Sequence, residues 1–163
     1  MKKCIYTLLV GILVMNANAQ TTSDTNINTS NTEKMSNQEQ ELKSFNDFKD
    51  IVEALQSYIE SARTGDGKLG TSVFYEHTQM VGSVDGQISY MPISEFGNAL
   101  SQMGPSENVQ HQIAWIDISG PAAAARVEFI NWGGFRFTDF LILYKENDQW
   151  KISGKVFNSH SRN

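Results

Sequence analysis

The chain is poor in cysteine, proline and positive charge. Of its 163 residues one is cysteine and three are proline, and 13 lysines and arginines stand against 18 acidic residues. Cys4 precedes the N-terminal apolar run instead of following it, so we do not predict a lipid-modified cysteine. Loss of that segment would leave no thiol, which excludes disulfides and thiolate chemistry and requires an apolar core for stability.

The positive charge that is present is scattered along the chain. The net charge is −5, and no basic patch with interleaved aromatic residues occurs. Because nucleic acids and anionic membranes attract clustered cations, we predict that neither is a partner of this protein.

Residues 1–19 have the pattern of a cleavable secretory signal peptide. Lys2 and Lys3 precede a short apolar run, and Ala17-Asn18-Ala19 supplies the small residues of a cleavage site. The run is too short to span a bilayer comfortably, although an uncleaved N-terminal anchor is the alternative. We therefore expect export to the periplasm or the medium.

Residues 20–41 are rich in Thr, Asn and Ser and hold almost no large apolar side chain. Such a segment cannot offset its ordering entropy by burial, so it is predicted to be a disordered linker. The folded domain is predicted at 42–160.

The first half of that domain has helical periodicity. Apolar residues recur every three or four positions, which predicts an amphipathic helix ending at Gly65. The members of this stripe are Phe45, Phe48, Ile51, Val52, Leu55, Tyr58, Ile59 and Ala62. A short helix over 68–75, a hairpin around Asp85-Gly86 and a helix capped by Ser94 follow.

The second half has the sequence pattern of long strands. Four segments of about ten residues, 109–119, 122–132, 135–144 and 150–157, are separated by short turns. This spacing indicates an antiparallel meander, and helices followed by strands indicate an α+β fold.

Two segments resemble a known family. They are Thr138-Asp139-Phe140-Leu141-Ile142-Leu143-Tyr144-Lys145 and, after a turn, Trp150-Lys151-Ile152 with Lys155-Val156-Phe157. With the helix ending Tyr58-Ile59-x-x-Ala62-x-x-Gly65-Asp66, they resemble the nuclear transport factor 2-like superfamily (SnoaL-like cone fold), in its putative lumazine-binding branch. The resemblance implies helices packed on a strongly curved antiparallel sheet that encloses a pocket. Gln149 departs from the family, which usually has Gly before the tryptophan.

Asp139 is the strongest candidate for a site residue. Strand alternation places it on one face with Phe135, Phe137 and Leu141. A carboxylate there is costly unless it is paired, hydrogen-bonded or protonated, so it is either a structural lock bonded to Lys155, Arg136 or backbone amides, or a pocket acid or base. Tyr58 faces inward on the helix, and we predict that its hydroxyl lies near Asp139.

Aromatic residues on the strands supply a candidate pocket wall, formed by Trp115, Phe129, Trp132, Phe135 and Phe137. His111 shares a strand face with Ile113 and Trp115, and is either a half-buried structural residue or a pocket acid or base. Lys151, Ser153 and Lys155 are predicted to face away from the core, towards solvent or a second copy.

The remaining motifs argue against a metal or cofactor. The run 65–70 matches G-x-G-x-x-G, but a helix precedes it where a nucleotide site needs a strand. The three histidines lack the spacing of a zinc site. We predict no cofactor.

Three functions remain open. The first is a secreted domain that binds a small apolar or aromatic molecule, with Tyr58, Asp139 and His111 orienting it. The second is an isomerase or dehydratase with Asp139 as general base and Tyr58 and His111 as further catalytic candidates. The third is a homodimeric interaction module that associates through the sheet and whose cone is filled by side chains.

Overall fold

The computed structural model describes the backbone of residues 29–162 and the side chains of residues 36–160. The chain divides into two units, residues 1–36 and residues 37–163, and the second unit is the folded domain. The predicted signal peptide and the first part of the predicted linker lie outside the described residues.

Between residues 29 and 162, three helices and six strands follow one another in the order that the sequence indicates. They are α1 Thr29–Thr64, α2 Gly67–Thr71, β1 Gln79–Val84, β2 Gln87–Pro92, α3 Ile93–Met103, β3 Gln110–Ser119, β4 Ala122–Trp132, β5 Phe135–Glu146 and β6 Gln149–Arg162. The predicted α+β class is confirmed.

Among the described side chains of the long helix α1, burial begins only at Asp47, in the C-terminal half. Ile51, Leu55 and Tyr58 are fully buried against the sheet, as predicted. Phe45 and Phe48 were expected on the same inner face, but their side chains are 70% and 47% exposed. Near them the helix meets the sheet through a polar contact, in which Asp47 accepts a hydrogen bond from Lys145 at the end of β5. Helix α1 also begins well before the apolar pattern does.

The strands form one open sheet in the order β2-β1-β6-β5-β4-β3. Strands β3 to β6 are the predicted antiparallel meander. The hairpin β1–β2 joins it through β1, which runs parallel to β6, so the sheet is mixed. This placement leaves β2 and β3 at the edges of the sheet, and β2 contacts α3.

Two bulges overturn the strand alternation that the sequence predicts. In β3 the register shifts between Ile113 and Trp115, so Ile113 points inward and Trp115 points outward. In β6 the register shifts beside Ile142 and Leu143, so Ile152 and Lys155 both point inward although they are three positions apart, a spacing that places residues on opposite faces of a regular strand. A bulge adds one unpaired residue and reverses every later side chain. The predictions that Trp115 lines the pocket and that Lys155 faces away were therefore wrong.

The glycine-rich run 65–70 packs two helices together. Asp66 caps α2, with its Oδ1 accepting hydrogen bonds from the amides of Lys68 and Leu69 at 2.9 and 3.0 Å. A Cβ on Gly67 would lie only 1.9 Å from the carbonyl oxygen of Gly97 in α3.

The predicted cap of α3 is absent, because Pro92 occupies the cap position and Ser94 lies inside the helix.

Candidate functional site

Three polar side chains meet inside the core. Asp139 on β5 is fully buried, and its Oδ2 accepts a hydrogen bond from the Tyr58 hydroxyl at 2.5 Å. The Nζ of Lys155 on β6 lies 3.1 Å from the same oxygen and also hydrogen-bonds to the Tyr58 hydroxyl. The predicted proximity of Tyr58 and Asp139 is confirmed, and Lys155 completes a closed triad.

Burial sets the electrostatics of this triad. Removal from water raises the pKa of Tyr58 well above its usual value, and the negative charge of Asp139 raises it further. Burial lowers the pKa of Lys155, while the interaction with Asp139 opposes that shift. The phenol therefore keeps its proton, and the lysine gives up a proton more readily than a surface lysine does.

Aromatic rings surround the amine of Lys155. Its Nζ lies 4.8 Å from the ring centroid of Tyr58, 5.0 Å from that of Phe157, 5.2 Å from that of Phe96 and 5.5 Å from that of Trp132. Each distance is within the range of a cation–π contact. The rings stabilise the ammonium form but carry no net charge, and among the described residues Asp139 is the counter-ion of Lys155.

A cavity of about 150 Å³ lies beside these rings, bounded by the hairpin β1–β2, helix α3 and the inner face of the sheet. Its wall is mostly apolar and includes Met80, Phe96, Trp132 and Phe157. Among the described residues that line it, Lys155 alone carries a charge.

The structure brings together most of the predicted site residues. Trp132 and Phe137 line the cavity. Phe129 and Phe135 lie behind them, with ring centroids 4.6 Å from Trp132 and 5.9 Å from Phe137 respectively. Tyr58 and Asp139 are buried one layer deeper than the lining residues, and Lys155 connects them to the cavity.

Two predicted residues lie elsewhere. Trp115 is 42% exposed on the outer face of the sheet, where its ring contacts that of Phe140. His111 is exposed near the start of the edge strand β3 and is not among the residues that line the cavity. Sequence reasoning named Lys155 as one possible partner of Asp139, which the ion pair confirms, but it placed the lysine on the outer face and left it out of the pocket wall.

The described part of the chain contains no cluster of His, Cys, Asp or Glu suited to a metal ion. None of its helices is long and apolar enough to cross a membrane.

Residues 46–158 match the model of the family described as "Putative lumazine-binding", and the chain belongs to that family. Its fold is that of the nuclear transport factor 2 (NTF2)-like superfamily. An NTF2-like protein of unknown function from Shewanella baltica OS155 is 31% identical, with a TM-score of 0.68 over 72% of this chain and 96% of that chain. Another, from Methylobacillus flagellatus KT, is 35% identical, with a TM-score of 0.68 over 71% and 94%.

One curated relative has a named activity. The aldolase FrzH from Cladobotryum sp. is 25% identical over 113 residues, which cover 69% of this chain and 90% of that protein.

Proposed function

We propose that this domain binds small carbonyl compounds in the cavity beside Lys155. The observation that carries the proposal is a buried cation, Lys155, at the wall of a mostly apolar cavity. A cavity of about 150 Å³ is large enough for one six-membered ring. The apolar wall favours the hydrocarbon part of such a ligand, and Lys155 donates a hydrogen bond to its oxygen.

The similarity to an aldolase supports the same ligand class, because aldolases act on carbonyl compounds. The geometry gives less support to Asp139 as a base that touches the ligand directly, since Asp139 lies behind Lys155. In our proposal Asp139 and Tyr58 hold the amine of Lys155 in place.

Ligand-detected NMR with cyclohexanone and methylcyclohexane tests the proposal, because the two rings differ chiefly in the carbonyl oxygen. We expect the ketone to bind at least about tenfold more tightly, as a hydrogen bond from a charged donor contributes about 1.5–3 kcal/mol. Lys155→Met should remove that preference while leaving hydrocarbon binding.

Ala99→Phe serves as a blocking variant, because Ala99 lines the cavity on α3, and it should abolish binding of both rings. Ala122→Phe is the matched control, because Ala122 is exposed at the start of β4 and away from the lining residues. Failure of the ketone to bind, or binding that Ala99→Phe leaves intact, would contradict the proposal.

We also propose that two copies associate through the outer face of the sheet. One row of aligned residues crosses all six strands on that face, and most of its members are exposed and apolar. The row consists of Tyr90, Val81, Val156, Phe140, Arg126 and Trp115. An exposed apolar strip of this length is unusual on a monomer and typical of an interface.

Sedimentation velocity of wild type, Phe140→Asp and Phe45→Asp tests this association. Phe140 lies in the middle of the row, whereas Phe45 is an exposed phenylalanine on α1. We expect a dimer for wild type and for Phe45→Asp and a monomer for Phe140→Asp. A monomeric wild type, or a dimer broken only by the α1 variant, would contradict the outer-face interface.

Export of the chain, with cleavage before Gln20, is our third proposal, supported by the sequence pattern of residues 1–19. N-terminal sequencing of protein recovered outside the cytoplasm should begin at Gln20. Retention of the full-length chain in the cell would refute it.

A further inference from the structure

The amine of Lys155 is placed where a covalent reaction with the proposed ligand is possible. Three rings within 5.5 Å of its Nζ, those of Phe96, Trp132 and Phe157, also line the cavity. Tyr58 and Asp139 do not line it. The amine is therefore the reactive group of the triad that lies nearest to a bound molecule.

We infer that Lys155 condenses with the carbonyl carbon of a small ketone or aldehyde to form an iminium (protonated Schiff base), an inference that rests on the proposed carbonyl-binding function. A lysine that forms such a bond must be desolvated and must be able to lose a proton. Lys155 is 4% exposed, and burial lowers its pKa.

A proton acceptor lies beside the amine. Asp139 uses Oδ2 for both Lys155 and Tyr58, and its buried Oδ1 has no hydrogen-bond partner in the described part of the chain. Because Oδ2 of Asp139 lies 3.1 Å from the amine, this carboxylate is placed to accept the proton that the ammonium releases.

The reaction balances without an outside reagent. The neutral amine attacks the carbonyl carbon, a C–N bond forms, and the oxygen becomes a hydroxyl group by taking up the proton that the nitrogen loses. The nitrogen lone pair then forms the C=N bond, the C–O bond breaks, and the oxygen leaves as water with the proton that Asp139 held. An ammonium and a carbonyl thus become an iminium and water, and the unchanged positive charge keeps Asp139 as its counter-ion.

Reductive trapping tests the inference. The full chain is incubated with cyclohexanone and sodium cyanoborohydride, which reduces an iminium to a stable secondary amine, and the adduct is located by peptide mass mapping. We expect one cyclohexyl group per chain, on Lys155. Lys155→Arg keeps the charge but should lose the adduct, whereas Lys151→Met, which removes the nearby half-buried lysine of the same strand, should keep it.

Parallel ligand-detected NMR without the reductant separates ketone binding from the covalent step. Ketone binding without an adduct on Lys155 would overturn the covalent step and leave the binding function standing. Absence of both would overturn both, and an adduct confined to exposed lysines would overturn the covalent step. The peptide mass map of the wild-type chain distinguishes these outcomes by itself, so the test holds even where a Lys155 variant fails to fold.

Discussion

Removing the charge of Lys155 alone should cost far more stability than removing it together with the charge of Asp139. Both side chains are almost fully buried, at 3% and 0% exposure. Deleting one partner of a buried ion pair leaves an uncompensated charge and typically costs about 3–5 kcal/mol. In Lys155→Met, Asp139 keeps the hydrogen bond from Tyr58 but loses its counter-ion. Domains of this size are stable by about 5–15 kcal/mol, so the single variant can remain folded.

The double variant Asp139→Asn/Lys155→Met removes both charges and keeps an acceptor for the Tyr58 hydroxyl. Replacing a whole buried pair by neutral groups of similar volume is often neutral or stabilising. We therefore expect the double variant to recover most of the free energy of unfolding that Lys155→Met loses. Urea unfolding at pH 7 of wild type, both single variants and the double variant measures the coupling.

The exposed pair Arg63 and Glu60 provides the control, because both side chains are about half exposed. Arg63→Met should change stability far less than Lys155→Met does, because solvent screens an exposed ion pair. The reasoning is refuted if Lys155→Met costs less than about 1 kcal/mol, or if the two single losses simply add in the double variant.

Three further predictions concern residues other than the ion pair of Asp139 and Lys155. Burial raises the pKa of Tyr58 above 10.0, so the native chain keeps a proton that the unfolded chain loses, and stability should fall as the pH rises above 10. In urea unfolding at alkaline pH, Tyr58→Phe should remove the part of this pH dependence of the free energy of unfolding that Tyr58 contributes. Burial opposes ionisation of Asp47, but hydrogen bonds from Lys43 and Lys145 lower its pKa, so its contribution is present above about pH 4 and lost below it. Asp47→Asn should therefore cost about 1–2 kcal/mol at pH 7 and progressively less under acid. Trp132→Ala should cost about 3–5 kcal/mol in thermal or urea unfolding, and Trp115→Ala should cost less, because its ring is 42% exposed in the single chain; equal losses would contradict the assigned faces.

The candidate site was partly predictable because two of its members lie on regular elements. Tyr58 belongs to a helical stripe and Asp139 to an alternating strand, and neither pattern is interrupted nearby. Burying a phenol and a carboxylate on facing elements requires them to find partners, so their contact follows from the sequence.

Lys155 could not be placed in the same way. Its position depends on a bulge in β6, and one extra residue turns an outward lysine into an inward one. The same effect in β3 moved Trp115 to the outer face. Bulges depend on how two strands fit each other under sheet curvature, which a single strand's sequence does not encode.

Local periodicity, turn residues and the match of two strand segments to a family were sufficient to determine the α+β class, the antiparallel meander and the Tyr58–Asp139 contact. Only the tertiary structure decided which face each bulged strand presents, that β1 joins β6 in parallel, and that Lys155 connects the buried carboxylate to a cavity. The physical reason is range: periodicity is a property of neighbouring residues, whereas register and cavity shape are set by elements as far apart in sequence as Tyr58 and Lys155.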